Sequence, residues 1–234
     1  MLLSGCWAAI AGAENLRVIT DDSPPVSGLA DGNLVGWGVD VVREIQRRVG
    51  STAKIEIMPW ARALKLAQQA DAVAVFATMR TEERARFFQW VGPLQTLNLA
   101  FYVRADSETR IDSLEDAMKL GSIGVPRQFA VDEELTALGF GNLDRVANPN
   151  QMVRKLMTGR NDAIASDDGF VSRRVFAAKD VPVEALRPAF RFGVRETYIA
   201  FSLSTPPELV TAWQKALDAM KADGTFAKLT ANRM

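Results

Sequence analysis

Residues 76–94, FATMRTEERARFFQWVGPL, decide how the rest of the chain is read. Just upstream, Ala72 to Phe76 has the continuous apolar character of a strand buried on both faces. It flows straight into Thr78, Arg80 and Thr81, then two glutamates, Arg84, Arg86 and an aromatic cluster. An arginine at the tip of a buried strand needs a partner for its charge, because an uncompensated buried cation is costly. A ligand site answers that need, since ligands of open α/β sheets bind beyond the carboxyl ends of the strands.

Working outward, the same grammar recurs. Leu16–Thr20 reads as a strand ending in Asp21-Asp22-Ser23-Pro24-Pro25, a loop whose prolines forbid helix. Val39–Val49 places Val39, Val42, Ile45 and Val49 on one helical face, with Gly50 as the stop. Ala53–Ile57 reads as a strand, Pro59 opens a helix through Gln69, and Asp71–Phe76 is a third strand. The order β-α-β-α-β predicts a parallel sheet with covering helices.

A second set follows: helix Leu114–Lys119, strand Ser122–Val125, helix Asp132–Leu138, strand Leu143–Ala147, helix Gln151–Thr158 and strand Ala163–Ala165. ADAVAVFATMR (70–80) and NDAIASDDGF (161–170) share Asp-Ala-(Val/Ile)-Ala followed by polar residues. Two lobes of like construction are expected, each a mixed, mostly parallel sheet flanked by helices. The β-rich segments Leu97–Val103 and Tyr198–Leu203 would be two hinge crossings, and an amphipathic helix, Pro207–Lys221, closes the chain. The expected division is 14–96 plus 195–234 for one lobe and 97–194 for the other.

Composition narrows the chemistry. The 234 residues are 48% hydrophobic and 24% charged, with a formal net charge of +0, so no basic excess points to nucleic acid. There is no histidine, which removes Ser-His-Asp triads and histidine-ligated metals. The one cysteine, Cys6, allows no intrachain disulfide and no cysteine-metal cluster. No cofactor is expected. At the N-terminus, MLLSGCWAAIAGA (1–13) resembles the apolar part and A-x-A-like site of a secretory signal, with lipidation of Cys6 as the alternative. Export to the periplasm is the expectation, and no later segment is apolar for long enough to span a bilayer.

The strand ends collect a definite set of side chains. The first half offers Asp21 and Asp22, then Trp60, then Thr78, Arg80 and Arg84; the second offers Arg127 and Gln128, Asn148, and Ser166, Asp167 and Asp168. An amino-acid zwitterion needs that combination: a planar fork for its carboxylate, an acid for its ammonium and a flat surface for its body. Thr81 would cap the helix that Glu82 and Glu83 begin, leaving N–H groups to assist anion binding. Plainer accounts compete. Trp60 is equally a core residue, Phe87, Phe88 and Trp90 read better as packing, and the arginines have Asp71 or Glu83 as structural partners. Asp167 and Asp168 are equally placed.

On these residues the chain resembles the family-3 extracellular solute-binding proteins, the polar-amino-acid receptors of ABC importers. The carrying stretches are TDDSPP (20–25), GWGVDVVREIQRRVG (36–50), MPWARAL (58–64), TMRTEERARFFQWVGPL (78–94) with its T-x-E-R motif, SLEDAMKLGSIGV (113–125) and LMTGRNDAIASDD (156–168). The resemblance implies a periplasmic-binding-protein type II fold and a non-enzymatic, monomeric receptor that delivers its ligand to a membrane permease. It implies that Arg84 takes the ligand carboxylate, Asp167 the ammonium and Trp60 the side chain, with Asp21 or Asp22 nearby and backbone N–H groups from 126–131. Met79 stands where the family has a small hydroxyl residue, and Pro126-Arg127-Gln128-Phe129-Ala130 replaces a glycine-rich stretch. Arg80 and Arg127 exceed what a neutral amino acid requires, which admits an acidic amino acid or another small carboxylate. A dehydratase on the same scaffold and a ligand-sensing module are the alternatives.

Overall fold

The computed structural model describes residues 15–147, 150–169 and 181–231. The apolar N-terminal segment with Cys6, and Asn148 among the expected site residues, lie outside them. The described chain divides into two compact units: one runs to Leu94 and resumes at Thr197, the other is Gln95–Glu196.

In the first unit β1 (Arg17–Thr20) leads to a small antiparallel hairpin of β2 (Gly28–Ala30) and β3 (Asn33–Val35). Then come α1 (Trp37–Val49), β4 (Ile55–Ile57), α2 (Trp60–Gln69), β5 (Val73–Met79) and α3 (Glu82–Ala85). β1 is central and parallel to both neighbours, with Val18 opposite Ile55 and Ala74. The C-terminal part of β10 (Leu186–Ser202) joins antiparallel beside β5, with Phe201 opposite Ala74. α7 (Pro207–Ala222) and α8 (Thr225–Thr230) complete the unit.

Both faces of this sheet are covered, which is why its strands read as unbroken apolar runs. On one face Val39, Val42 and Ile45 of α1 are fully buried with Phe76, Phe201 and Trp213, and Trp213 meets Phe201 edge to face at 5.2 Å. On the other, Ala63, Leu64 and Ala67 of α2 pack with Ile19, Val75, Phe88 and Ala200. The glycine before α1 has a packing reason: a Cβ on Gly36 would sit 2.3 Å from the Val26 carbonyl oxygen. The loop after β1 lies against the helix start, where Trp37 and Gly38 donate their N–H groups to the carbonyls of Pro25 and Val26, each at 3.0 Å. No side-chain cap is used.

The second unit repeats the plan. It contains the C-terminal part of β6 (Phe88–Arg104), α4 (Leu114–Met118), β7 (Ile123–Pro126), α5 (Ala130–Ala137), β8 (Leu143–Val146), α6 (Asn150–Met157) and β9 (Ala163–Asp167). β7 is central and parallel to β8 and β9, and β6 runs antiparallel beside β9 with Phe101 opposite Ala165. Phe101, Ile123 and Leu135 fill one core, and Met152, Leu156 and Ile164 the other.

β6 and β10 are 17 residues each, so each strand passes from one unit into the other. The sequence reading gave only Leu97–Val103 and Tyr198–Leu203. The earlier part of β6 carries Gly92 and Pro93, which interrupt its pattern, whereas the earlier part of β10 does alternate, as Phe190-Arg191-Phe192-Gly193-Val194-Arg195, a signal the reading left unused.

Candidate ligand-binding site

β5 ends in a distortion that shapes its tip. Tyr198 lies opposite Thr78 but Ala200 lies opposite Val75, so two residues on β5 face one on β10. The extra residue is accommodated with Ala77 at φ 60, a left-handed conformation unusual for a residue with a Cβ. The bulge turns Thr78 inward: it is fully buried and its hydroxyl donates to the Val75 carbonyl at 2.9 Å. Thr78 therefore supports the tip, and its hydroxyl is already engaged there.

Beyond the bulge, Thr81 caps α3 by accepting the Arg84 N–H at 3.2 Å, as its position predicts. The cap delivers Arg84 inward. Arg84 is only 2% exposed, its guanidinium lies 5.7 Å from the Trp60 ring centroid, and its Nη1 donates to the Met79 carbonyl at 3.4 Å. The backbone of Met79 thus supports the arginine. Trp60, the first residue of α2, is half-buried against the Ile19–Phe88 core, so it is both packing and wall.

Arg80 is exposed, and its guanidinium lies 5.7 Å from the Trp90 ring and 5.8 Å from the Tyr198 ring. Trp90 meets Phe88 and Tyr198 edge to face at 5.5 and 5.8 Å and donates its indole N–H to the Ala85 carbonyl at 3.2 Å. Among the described residues, neither Asp71 nor Glu83 pairs with either arginine. Trp90 also packs on the Ile19–Phe88 core, and it and Tyr198 stand on two long strands at the level of the β5 tip. Asp21 is half-buried, its carbonyl accepting from the Ser27 hydroxyl at 2.8 Å, and Asp22 is exposed.

In the second unit, β7 ends at Pro126, and Arg127 and Gln128 are exposed. Gln128 has φ 61, and its N–H goes to the Asp132 carboxylate at 3.0 Å. That carboxylate also takes Nε of Arg145 at 2.7 Å. Of the backbone donors expected from 126–131, Gln128 N–H is thus occupied by the chain's own Asp132, and Arg127 N–H by the Val146 carbonyl at 2.9 Å. At the end of β9 the two aspartates separate. Asp168 accepts from Asn98 Nδ2 at 2.7 Å, Asn98 N–H at 3.3 Å and Gly169 N–H at 2.9 Å, which fixes it structurally. Asp167 is the strand-tip residue and is 9% exposed. Burial first, then the charges of Asp168 and Asp167, push the Tyr102 phenol up to about 12.

The model of the bacterial extracellular solute-binding proteins, family 3, matches residues 16–232. The chain belongs to this family. Three solved structures show the family's fold at low identity. A histidine kinase sensor domain with similarity to periplasmic binding proteins gives TM-score 0.83 at 20% identity, covering 95% of this chain and 97% of that one. An ancestral arginine-binding protein bound to arginine gives 0.80 at 24%, covering 94% and 97%. A mutant of ArgBP from T. maritima gives 0.78 at 23%, covering 92% and 93%. No curated protein sequence matches the chain. The fold of this family-3 member is that of type II periplasmic binding proteins, mixed α/β with helices flanking the sheet. Among the described residues no helix is long and apolar enough to cross a membrane, and no group of three or more His, Cys, Asp or Glu side chains could hold a metal ion.

Proposed function

We propose that this family-3 protein captures a small carboxylate-bearing zwitterion, an amino acid, in the periplasm and hands it to an ABC permease without chemical change. The carrying observation is Arg84: a guanidinium 2% exposed, laid over the Trp60 ring at a strand's carboxyl end. A carboxylate brought to that fork gains charge-assisted hydrogen bonds in a poorly hydrated setting. Asp167, the buried acid at the tip of β9, is assigned to the ammonium. Asp21, Asp22, Arg127, Gln128 and Asn148 are assigned to the ligand's periphery. The two units close because the ligand favours the arrangement in which both contact it. Binding without turnover fits a chain that has no histidine.

Isothermal titration against the common amino acids tests this reading. One ligand is expected to bind per chain, and Arg84→Ala is expected to abolish binding while the variant still melts cooperatively. A panel without binding, or Arg84→Ala binding like the wild type, overturns it.

A further inference from the structure

We infer that the ligand carries a second acidic group and that Arg80 receives it, so that the ligand class is the acidic α-amino acids. This rests on the binding reading above. Four observations within the first unit support it. Arg80 follows the β5 tip directly and precedes Arg84 by four residues. Its guanidinium is held near two rings, Trp90 and Tyr198, at 5.7 and 5.8 Å. Among the described residues it makes no ion pair, whereas three arginines of the same unit, Arg17, Arg47 and Arg48, each hold a carboxylate at 2.8 Å or less. Finally, Trp60 beneath Arg84 and Trp90 beneath Arg80 pack on the same Ile19–Phe88–Ala200 core, so both cations stand on one face of the sheet.

Aromatic neighbours make Arg80 a prepared receptor. They restrict a side chain that would otherwise lose rotamer freedom on binding, and leave its planar fork for a carboxylate. A ligand amide in that place accepts a neutral hydrogen bond and turns its NH2 donors toward a cation. A charge-assisted bond is roughly twice as strong as a neutral one, which predicts a preference of about 10-fold or more for the acid.

The test is isothermal titration of the purified protein with L-glutamate, L-aspartate, L-glutamine, L-asparagine and L-arginine. It is repeated on Arg80→Met and Arg80→Lys, with melting curves to establish folding. One of the two acids is expected to bind about 10-fold or more tightly than its own amide. Arg80→Met is expected to remove that preference by weakening the acid about 10-fold or more beyond any loss it causes for the amide, and Arg80→Lys to keep part of it. An amide or arginine binding as tightly as the acids overturns this inference and leaves the receptor reading intact, as does a preference that survives Arg80→Met. If Arg80→Met fails to fold, the wild-type series and Arg80→Lys decide. Binding of none of the five overturns the acidic class outright, and absence of binding across all amino acids removes the receptor reading with it.

Discussion

Gly92→Ala tests how the aromatic wall is held. A Cβ at Gly92 would lie 2.3 Å from Tyr198 Cδ1 and 2.9 Å from two further ring atoms, against an ordinary carbon–carbon contact of about 3.5 Å or more. The overlap is therefore about 1 Å over one edge of the ring. Gly92 cannot easily retreat, because the Gln214 side chain grips it from α7: its N–H donates to Gln214 Oε1 at 2.9 Å and its carbonyl accepts from Nε2 at 3.1 Å. Neighbouring Pro93 is tied to the same helix through Lys221 Nζ at 2.8 Å. The strain must move Tyr198, which pairs across from Thr78 and meets Trp90, or break the Gln214 clamp. Overpacking of this kind costs about 1–3 kcal/mol, and each kcal/mol lowers Tm by roughly 2–4 °C in a chain of this size. Thermal and urea unfolding of Gly92→Ala, Tyr198→Ala and the double variant measure it. With the ring removed, the alanine should cost almost nothing, giving a coupling of about 1–3 kcal/mol. A Gly92→Ala penalty under about 0.5 kcal/mol, or an equal penalty in the Tyr198→Ala background, refutes the reasoning.

Two further expectations concern titration. The Tyr102 phenol, raised to about 12 by burial and by Asp168 and Asp167, should ionise late in an alkaline ultraviolet titration, and the late component should vanish in Tyr102→Phe. Because the folded pKa is raised, that stabilisation is complete below the ordinary value of 10.0 and is lost as pH rises through about 12. At the other extreme, hydrogen bonds from Arg47 and Arg48 lower Glu44 to about 2, and hydrogen bonds from Thr225 and then Arg48 lower Asp223 to about 2. Depressed carboxylates contribute above their ordinary values of 4.5 and 3.8 and cease to contribute as pH falls toward 2. The Tm deficit of Arg48→Met, measured at neutral pH, should shrink across that window; a deficit independent of pH would show that the ion pairs are not its cause.

Much of the fold was legible because strong local signals coincided with tertiary demands. Gly50, Gly139 and Gly159 stop helices in the sequence and have φ 70, 88 and 71 in the structure. The parallel strands read correctly because burial on both faces leaves unbroken apolar runs. The β2–β3 hairpin escaped notice although its signal was present: Asp31-Gly32 adopts φ 50 and 77, the two positive angles a tight two-residue hairpin demands. Its strands are three residues long, too short for periodicity to show. At the site, the arginines were visible as charges out of place, and Thr81 as a cap. That Thr78 turns inward was not visible, because alanine at Ala77 gives no warning of a left-handed residue. Nor could the hold of Asn98 on Asp168 be read from sequence, since the two are seventy residues apart.

The tips of β5 and β9 are one architectural position used twice. β5 and β9 are each the third strand of their unit's parallel set, and each has an antiparallel crossing strand on its outer side. The echo between residues 70–80 and 161–170 is therefore an echo between structurally equivalent strands. They differ in register: β9 pairs without interruption from Ile164 opposite Tyr102 to Asp167 opposite Leu99, whereas β5 bulges at its end. Without the bulge, alternation carries β9 to its end with the acid in line. With the bulge, β5 buries its hydroxyl and presents a carbonyl, that of Met79, which engages the Arg84 guanidinium. A left-handed alanine costs about 1–3 kcal/mol, and it persists because the Thr78 bond to Val75 and the pairing to Tyr198 fix the strand on both sides of it. The same slot thus yields a cationic end in one unit and an anionic end in the other, and a single inserted residue accounts for the difference in how the strands finish.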